Sequence, residues 1–169
     1  KGGFVAQLAL KNPDINYIAV DIKSEVLAVG RRTIVKLFEE NNRSVDNIML
    51  ITQDIERIDS AFSPEDKIER IYINFCNPWP RAKHKKRRLT YPKQLNLYKT
   101  FLKKGGEIRF KTDDKELFED SIEYFRETGF KITYITRDLH KSDVSDNIET
   151  EHEKMFSEMG ININYLIAV

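Results

Sequence analysis

Cysteine, glycine and proline are scarce in this chain, and long apolar runs are absent. The 169 residues include 1 Cys, 7 Gly and 5 Pro. Because Cys76 is alone, the sequence excludes an intrachain disulfide and a cysteine-rich zinc site, as is typical of a reducing cytoplasm. No apolar run approaches the ~20 residues that cross a bilayer, and the first residues lack the pattern of a signal peptide. We therefore expect a soluble, cytoplasmic protein without a membrane partner.

The composition predicts one globular domain. A charged fraction of 33% and a hydrophobic fraction of 40% are typical of a well-solvated folded protein. No internal repeat, low-complexity tract or Pro/Gly/Ser linker divides the chain, so residues 1–169 are expected to form a single domain.

Charge is unevenly distributed along the chain, although the net charge is only +1. Residues 81–88 read RAKHKKRR, whereas residues 113–120 and 138–158 are rich in Asp and Glu. A basic segment of this kind indicates an anionic partner such as nucleic acid. Taken alone, it is equally compatible with a solvated loop or a targeting signal.

Apolar periodicity predicts alternating strands and helices. The expected strands are residues 16–20, 47–51, 70–75, 107–111, 130–136 and 161–169. One helix is expected to begin with a cap at Ser24. A second covers residues 92–103 and is ended by Gly105 and Gly106. A third covers residues 115–128, between a capping box at 113–116 and Gly129. This order predicts an α/β fold with an open, doubly wound sheet.

The first residues resemble the second half of a nucleotide-binding βαβ unit. Residues 1–4 read KGGF and lead directly into an amphipathic helix, and Asp21 closes the strand that follows. A Gly-rich turn, a helix, a strand and an acid follow one another in such units. The opening strand of the unit is missing from the chain, so we expect an upstream segment to supply it.

Polar residues follow the predicted strands at four places. These are Asp21, residues 53–54, residues 77–80 and residues 112–113. Ligands of open α/β sheets bind beyond the carboxyl ends of the strands. Counting the missing opening strand as the first, Asp21 follows the second strand and suits ribose hydroxyls. Asp54 follows the third strand and suits an adenine amino group. The pattern therefore predicts an adenosine pocket. Singly, each residue is also a common turn former or helix cap.

Residues 75–89, which read FCNPWPRAKHKKRRL, carry the most specific motif. They resemble the signature of the bacterial tRNA (guanine-N7-)-methyltransferases, and the Gly-rich start, a Thr-Asp after a strand and a Thr-x-x-Glu element follow in the family's order. The resemblance implies a Rossmann-like class I methyltransferase fold, mostly parallel with an antiparallel C-terminal strand. It also implies methyl transfer from S-adenosylmethionine to N7 of a variable-loop guanine in tRNA.

The resemblance also implies roles for individual residues. Cofactor-binding positions are Gly2 and Gly3 on the methionine side, Asp21 at the ribose, Asp54 at the adenine, and Asn77. Substrate-binding positions are Arg81, Asp113, Thr150, Glu151, His152 and Glu153. Phosphate contacts with tRNA are expected from Lys83, His84, Lys85, Lys86, Arg87 and Arg88, and they should weaken as salt is added.

Asn77 stands where the family commonly has a catalytic aspartate. Guanine N7 carries a lone pair and no proton, so the reaction needs alignment of the reacting atoms more than it needs a general base. Asn77 can accept and donate hydrogen bonds, and it can therefore orient the base or the cofactor. It cannot supply a negative charge, so we expect activity to be retained with some loss.

Several interpretations stay open at this stage. Trp79 packs beneath the loop or stacks on the base, and Arg87 and Arg88 are partly structural or contact RNA. Asp113 and the Thr150 to Glu153 element are helix caps, substrate contacts or both. The histidines lack metal-ligand spacing, so no metal is expected, and a monomer or homodimer without an obligate protein partner is expected. The rival functions are a nicotinamide-dependent oxidoreductase and a non-catalytic RNA-binding module.

Overall fold

The computed structural model describes residues 1–169. The helices are α1 (Gly3–Lys11), α2 (Ser24–Glu40), α3 (Pro92–Tyr98), α4 (Lys115–Glu127) and α5 (Glu151–Glu158). The strands are β1 (Tyr17–Asp21), β2 (Ile48–Thr52), β3 (Ile68–Asn74), β4 (Leu102–Thr112), β5 (Ile132–Thr136) and β6 (Asn164–Ala168). Short 3-10 helices cover Ile55–Ser60, Ala82–Arg87 and Leu139–Lys141. None of the helices combines the length and the apolar character that crossing a membrane requires.

The strands form two hydrogen-bonded sheets. β1 and β2 pair in parallel, and a second sheet has the order β3-β4-β6-β5. Within it β3 and β4 are parallel, whereas β6 is antiparallel to both β4 and β5. The α/β class, the parallel strand pairs and the antiparallel C-terminal strand are therefore confirmed.

The chain divides into two compact units, which are described separately. The first unit comprises Lys1–Arg57 and Ser145–Lys154, and the second comprises Ile58–Val144 and Met155–Val169. In the first unit, α1 and α2 pack through Ala6, Ala9, Ile34 and Phe38, all buried. Asn47 ties β2 to the end of α1, because its amide nitrogen donates to the backbone carbonyls of Ala9 in α1 and of Asn12 and Ile15 in the connection to β1.

A pair of glycines sets the spacing of α1 and α2. Gly2 precedes α1 in a left-handed conformation with φ of 85°. A Cβ on Gly2 would lie 2.5 Å from the carbonyl oxygen of Gly30 in the interior of α2. Only glycine satisfies both the positive φ and the close approach at position 2.

The second unit has an aromatic core around α4 and β4. Phe118 of α4 stacks on Phe110 of β4 with a centroid distance of 6.1 Å, and Phe125 meets Phe130 edge to face at 5.6 Å. The apolar face of this helix, formed by Phe118, Ile122 and Phe125, is buried, and the helix is followed by the exposed Gly129 with a φ of 77°. Burial of several aromatic rings makes this helix the main packing element of the unit.

The helix predicted for residues 92–103 is too long. α3 ends at Tyr98, and the backbone oxygen of Phe101 already accepts a hydrogen bond from Ile68 of β3. Gly105 and Gly106 lie inside β4 where the register with β3 shifts, rather than in a turn before it. Glycine is common at such bulges because the extra residue needs an unusual backbone conformation.

Two predicted helix caps are also displaced. Ser24 is the first residue of α2 and its side chain caps nothing, whereas Asp21 accepts a hydrogen bond from the Lys23 amide at 2.9 Å. The cap of α4 is Asp114, which accepts from the Leu117 amide at 2.7 Å, so residues 113–116 do not form a capping box.

We predict that Gly30→Ala stabilises the protein by roughly 0.5–1 kcal/mol, because alanine is the better residue in a helix interior. Its Cβ would lie 3.6 Å from the Gly2 Cα, an ordinary contact distance. Gly2→Ala should instead destabilise by at least ~1 kcal/mol, through the left-handed backbone alone. Urea unfolding of both variants measures the difference, and equal effects of the same sign would contradict the packing described.

Candidate functional site

The carboxyl ends of β1 and β2 bring two of the predicted acids to one edge of the first unit. Asp21 pairs in register with Thr52, and the Gln53 amide donates to the Asp21 carbonyl at 3.0 Å. Asp21 Oδ1 accepts from the Lys23 amide and Asp54 Oδ1 accepts from the Glu56 amide, both at 2.9 Å. Each carboxylate thus has one oxygen bound to its own turn, and the other oxygen can accept from a ligand.

The amino end of α1 lies in the same unit. The first backbone hydrogen bond of the helix is donated by the Ala6 amide to the Gly2 carbonyl, at 3.0 Å. Gly3 has open space where a side chain would be, since no atom lies within 4 Å of an added Cβ. A helix amino terminus with free space beside it favours a carboxylate or phosphate group of a ligand.

The Thr150 to Glu153 element forms a complete capping box. Glu153 donates its amide to Thr150 Oγ1 at 3.0 Å, and Thr150 donates its amide to Glu153 Oε2 at 3.3 Å. Asn147 also donates to Glu153 Oε1 at 2.7 Å, and Glu153 is 0% exposed. The burial corrects the expectation of direct substrate contact by Glu153, because both its oxygens are bound within the protein.

The other three residues of this element are accessible. Glu151 and His152 are exposed and Thr150 is half-buried. Lys1 lies beside Glu151, which places the start of α5 next to the Gly-rich turn. The Thr150 to His152 segment and the turn at Gly2 therefore lie close together in the first unit.

In the second unit, the loop of residues 75–80 follows β3 and has a strained backbone. Phe75 and Trp79 have φ angles of 52° and 43°, and neither is glycine. Asn77 is exposed, and its Oδ1 accepts from the Trp79 amide at 3.1 Å. Left-handed non-glycine residues persist only where the surroundings hold them, and they cluster at functional sites. The bond to Trp79 leaves the Asn77 NH₂ as the group available to a ligand.

The basic segment that follows is a 3-10 helix, and its three faces differ. A 3-10 helix has three residues per turn, so residues three apart share a face. His84 and Arg87 contact the half-buried Trp79 ring, at 5.7 Å edge to face and 5.2 Å above the ring respectively. Lys83 and Lys86 are exposed. Trp79 thus packs against the side chains of the basic segment.

The third face carries Lys85 and Arg88, and both are paired with acids of α4. Arg88 is 1% exposed and donates from Nη1 to Asp120 at 2.6 Å. Lys85 Nζ lies 2.7 Å from both Asp120 and Glu116. Arg88 is therefore corrected from an RNA contact to a structural residue, because it is not accessible. Lys85 is half-buried and its charge is balanced by both acids, so it offers little attraction to a phosphate.

The acid pair was missed from the sequence, although the two residues are one helical turn apart on α4. Burial opposes ionisation of Asp120, but hydrogen bonds from Lys85 and Arg88 outweigh it and lower the pKa of Asp120. The hydrogen bond from Lys85 likewise lowers the pKa of Glu116. Acids spaced four apart opposite a basic segment were the available signal.

Asp113 differs from its neighbours at the carboxyl end of β4. It is half-buried, and its carboxylate makes no hydrogen bond or ion pair. The adjacent Asp114 performs the capping of α4. Asp113 is therefore available to a ligand. Arg81, Lys83 and Lys86 are likewise exposed and have no ion-pair partner.

Cys76 is not a candidate nucleophile, although it adjoins Asn77. Burial raises the pKa of its thiol to about 12. The thiolate is the reactive form of cysteine, and it is essentially absent at neutral pH.

Comparison with known proteins identifies relatives over the whole chain. A family described as "Putative methyltransferase" matches residues 1–166. The tRNA (guanine-N(7)-)-methyltransferase of Clostridium beijerinckii is 63% identical over 169 residues, which are 100% of this chain and 77% of that protein. The protein of the same name from Clostridium perfringens strain SM101 is 60% identical over 168 residues, covering 99% of this chain and 77% of the relative.

Solved structures agree on the fold. A precorrin-6y C5,15-methyltransferase from Geobacter metallireducens superposes with a TM-score of 0.65 at 11% identity, covering 98% of this chain and 72% of that one. A SAM-dependent methyltransferase from Aquifex aeolicus gives 0.62 at 12% identity, covering 99% and 76%. The fold is therefore that of the class I methyltransferases.

The acid pair on α4 predicts a pH-dependent contribution to stability. Folding lowers the pKa of Asp120 and Glu116, so their stabilising effect is complete above the unfolded-state values of roughly 4 and is lost as pH falls below them. Asp120→Asn should therefore unfold at lower urea than the parent protein at pH 6, and the gap should narrow below about pH 4. A gap that stays constant down to pH 3 would contradict this assignment.

Proposed function

Since the chain belongs to the bacterial tRNA (guanine-N7-)-methyltransferase family, we propose that it transfers a methyl group from S-adenosylmethionine to N7 of a variable-loop guanine in tRNA. The observation that carries this proposal is the Asn77 loop, whose exposed amide is followed directly by a segment with accessible cations. The exposed cations suit RNA phosphates, and the loop offers a fixed polar group beside them.

The first unit has groups that fit S-adenosylmethionine. The α1 amino terminus at Gly2 and Gly3 favours the carboxylate of its methionine part. Asp21 and Asp54 each offer a carboxylate oxygen, for the ribose hydroxyls and the adenine amino group respectively. When bound, the cofactor supplies an electrophilic methyl group on a sulfonium. We propose that Asn77 adds a contact to it.

Asn77 is the proposed catalytic residue, acting by orientation. Guanine N7 already presents its lone pair, so no side chain has to remove a proton before methyl transfer. Because Asn77 Oδ1 is held by the Trp79 amide, its NH₂ is the group that would donate to the guanine or the cofactor. A rigid loop contributes by holding the reacting groups in line.

The remaining proposed contacts are made by accessible residues. Asp113, Thr150, Glu151 and His152 are the proposed substrate-binding residues. The proposed RNA phosphate contacts come from Arg81, Lys83, His84, Lys86 and Arg87. We also propose that the enzyme needs no metal, since neither the nucleophile nor the leaving group requires one. A single methyltransferase domain, a cytoplasmic location and a monomer or homodimer complete the proposal.

The deciding experiment is methyl transfer from labelled S-adenosylmethionine to unmodified bacterial tRNA, with the product mapped by cleavage specific for N7-methylguanine. One modified guanine in the variable loop is expected. Cofactor and tRNA binding without any transfer would favour the RNA-binding module instead. Binding of a nicotinamide dinucleotide in place of S-adenosylmethionine would favour the oxidoreductase.

We predict that Asn77→Asp increases the single-turnover rate by about fivefold. Aspartate lacks the NH₂ donor, but its carboxylate would accept from the N–H groups of guanine. A hydrogen bond to a charged group is stronger than a neutral one by about 1 kcal/mol, which corresponds to that factor in rate. The measurement uses saturating tRNA and cofactor, so that changes in affinity do not contribute. An unchanged rate would mean that a carboxylate has no special role at this position.

A further inference from the structure

We propose that Arg88 is a positioning residue of the Asn77 loop and that Asp120 is its anchor on α4. Arg88 donates from Nε to the Pro78 carbonyl at 2.7 Å and from Nη1 to Asp120 Oδ2 at 2.6 Å. One planar group thus joins the loop to the helix. The catalytic consequence rests on the proposed function, because it concerns the residue beside Pro78.

The burial of Arg88 indicates an internal role. The residue is 1% exposed, and its Nη2 has no hydrogen-bond partner, with Glu116 at 3.6 Å. A buried charge is tolerated only where it is paired, and leaving one donor incompletely satisfied adds a cost. Such an arrangement is retained where geometry has a value beyond stability. Here the geometry that is held is that of the Pro78 carbonyl.

Charge balance also argues against a direct RNA contact on this face. Lys85 and Arg88 contribute two cations, and Glu116 and Asp120 contribute two anions within 2.6–3.6 Å of them. The group is therefore close to neutral and offers little attraction to a phosphate. The hydrogen bonds that Lys85 donates to Asp120 and Glu116 raise the pKa of Lys85, which keeps this cation charged within the group.

The held carbonyl lies within the strained part of the loop. Pro78 stands between Asn77, whose side chain accepts from the Trp79 amide, and Trp79 itself, with a φ of 43°. Without Arg88, the left-handed conformation of Trp79 loses one of the contacts that enforce it. α4 begins next to Asp113, so the same helix that anchors the loop also follows a proposed substrate contact.

The two roles predict different effects of Asp120→Asn on the rate of methyl transfer. If Arg88 contacted RNA, removing a nearby anion would leave tRNA binding unchanged or make it tighter. If Arg88 positions the loop, the same change weakens its anchor and slows methyl transfer without changing phosphate contacts. Arg88→Lys tests the same point with the charge retained, because lysine lacks the planar fork that reaches both partners.

The experiment compares the parent protein with Arg88→Lys, Asp120→Asn and the control Glu119→Gln. Glu119 is on the same helix, but it pairs with Arg137 through two bonds at 2.7 and 2.9 Å. Single-turnover rates at saturating tRNA and cofactor, and tRNA affinity across a salt series, are measured for each. Thermal unfolding and cofactor affinity confirm that the variants are folded.

We expect Arg88→Lys and Asp120→Asn to lower the rate about tenfold or more, as small misplacements near the reacting groups do. Their salt slopes should stay equal to that of the parent, and Glu119→Gln should change neither quantity. Lys86→Ala should reduce the slope by roughly 0.7–0.9, the value for one lost phosphate contact. Arg88→Ala is measured in the same way. A similar reduction of its salt slope, with the rate at saturation unchanged, would overturn the proposal.

Trp79 provides a readout that does not depend on methyl transfer. It is the only tryptophan among the 169 residues. Quenching of its fluorescence by acrylamide should increase in Arg88→Lys and Asp120→Asn but not in Glu119→Gln, because the loop is released only in the first two. Unchanged quenching would refute the positioning role. An inactive parent protein with increased quenching in these variants would refute the proposed function alone.

Discussion

The guanidinium of Arg88, enclosed between a loop carbonyl and an acid of α4, is the constraint on which the second unit's site depends. Taking two charges out of water costs several kcal/mol per ion, and mutual attraction recovers this only with good geometry. Hydrogen bonds of 2.6 and 2.7 Å on the same planar group meet that condition. The interaction therefore joins the loop to α4 and keeps the buried charge paired.

In the first unit, backbone geometry rather than an ion pair sets the position of the candidate site. Gly2 and Gly30 allow two helices to approach closely, which sets where α1 begins relative to its neighbour. Parallel pairing of β1 and β2 then brings Asp21 and Asp54 to one edge. Each acid is oriented by a hydrogen bond from the turn that follows it, so the free oxygen is held ready for a ligand.

Much of this arrangement could be predicted from the sequence, for identifiable reasons. Buried apolar runs located the strands, and Thr150 with Glu153 formed the capping box that their spacing indicated. The errors came where long-range contacts override local signals. α3 stops at Tyr98 because Phe101 pairs with β3, and no pattern within residues 92–103 encodes that bond.

For the site, too, local sequence patterns identified candidate residues, whereas contacts with distant residues determine which of them are accessible. The order of polar residues after the strands was enough to select Asp21, Asp54, Asn77 and Asp113. The sequence could not tell which cations of residues 81–88 face water, because that depends on acids more than 25 positions away. Arg88 and Glu153 are buried, whereas Lys85 is half-buried and paired with Asp120 and Glu116.

The threefold periodicity of the basic segment has a consequence for how it tolerates change. Each side chain's environment depends on its place in a repeat of three, so an insertion or deletion of one residue would rotate the following faces by about 120°. Such a shift would exchange the faces that contact solvent, the Trp79 ring and the acids of α4, although composition and net charge would hardly change. Replacing one cation by another at Lys83 or Lys86 should therefore disturb the segment less than a change in its length.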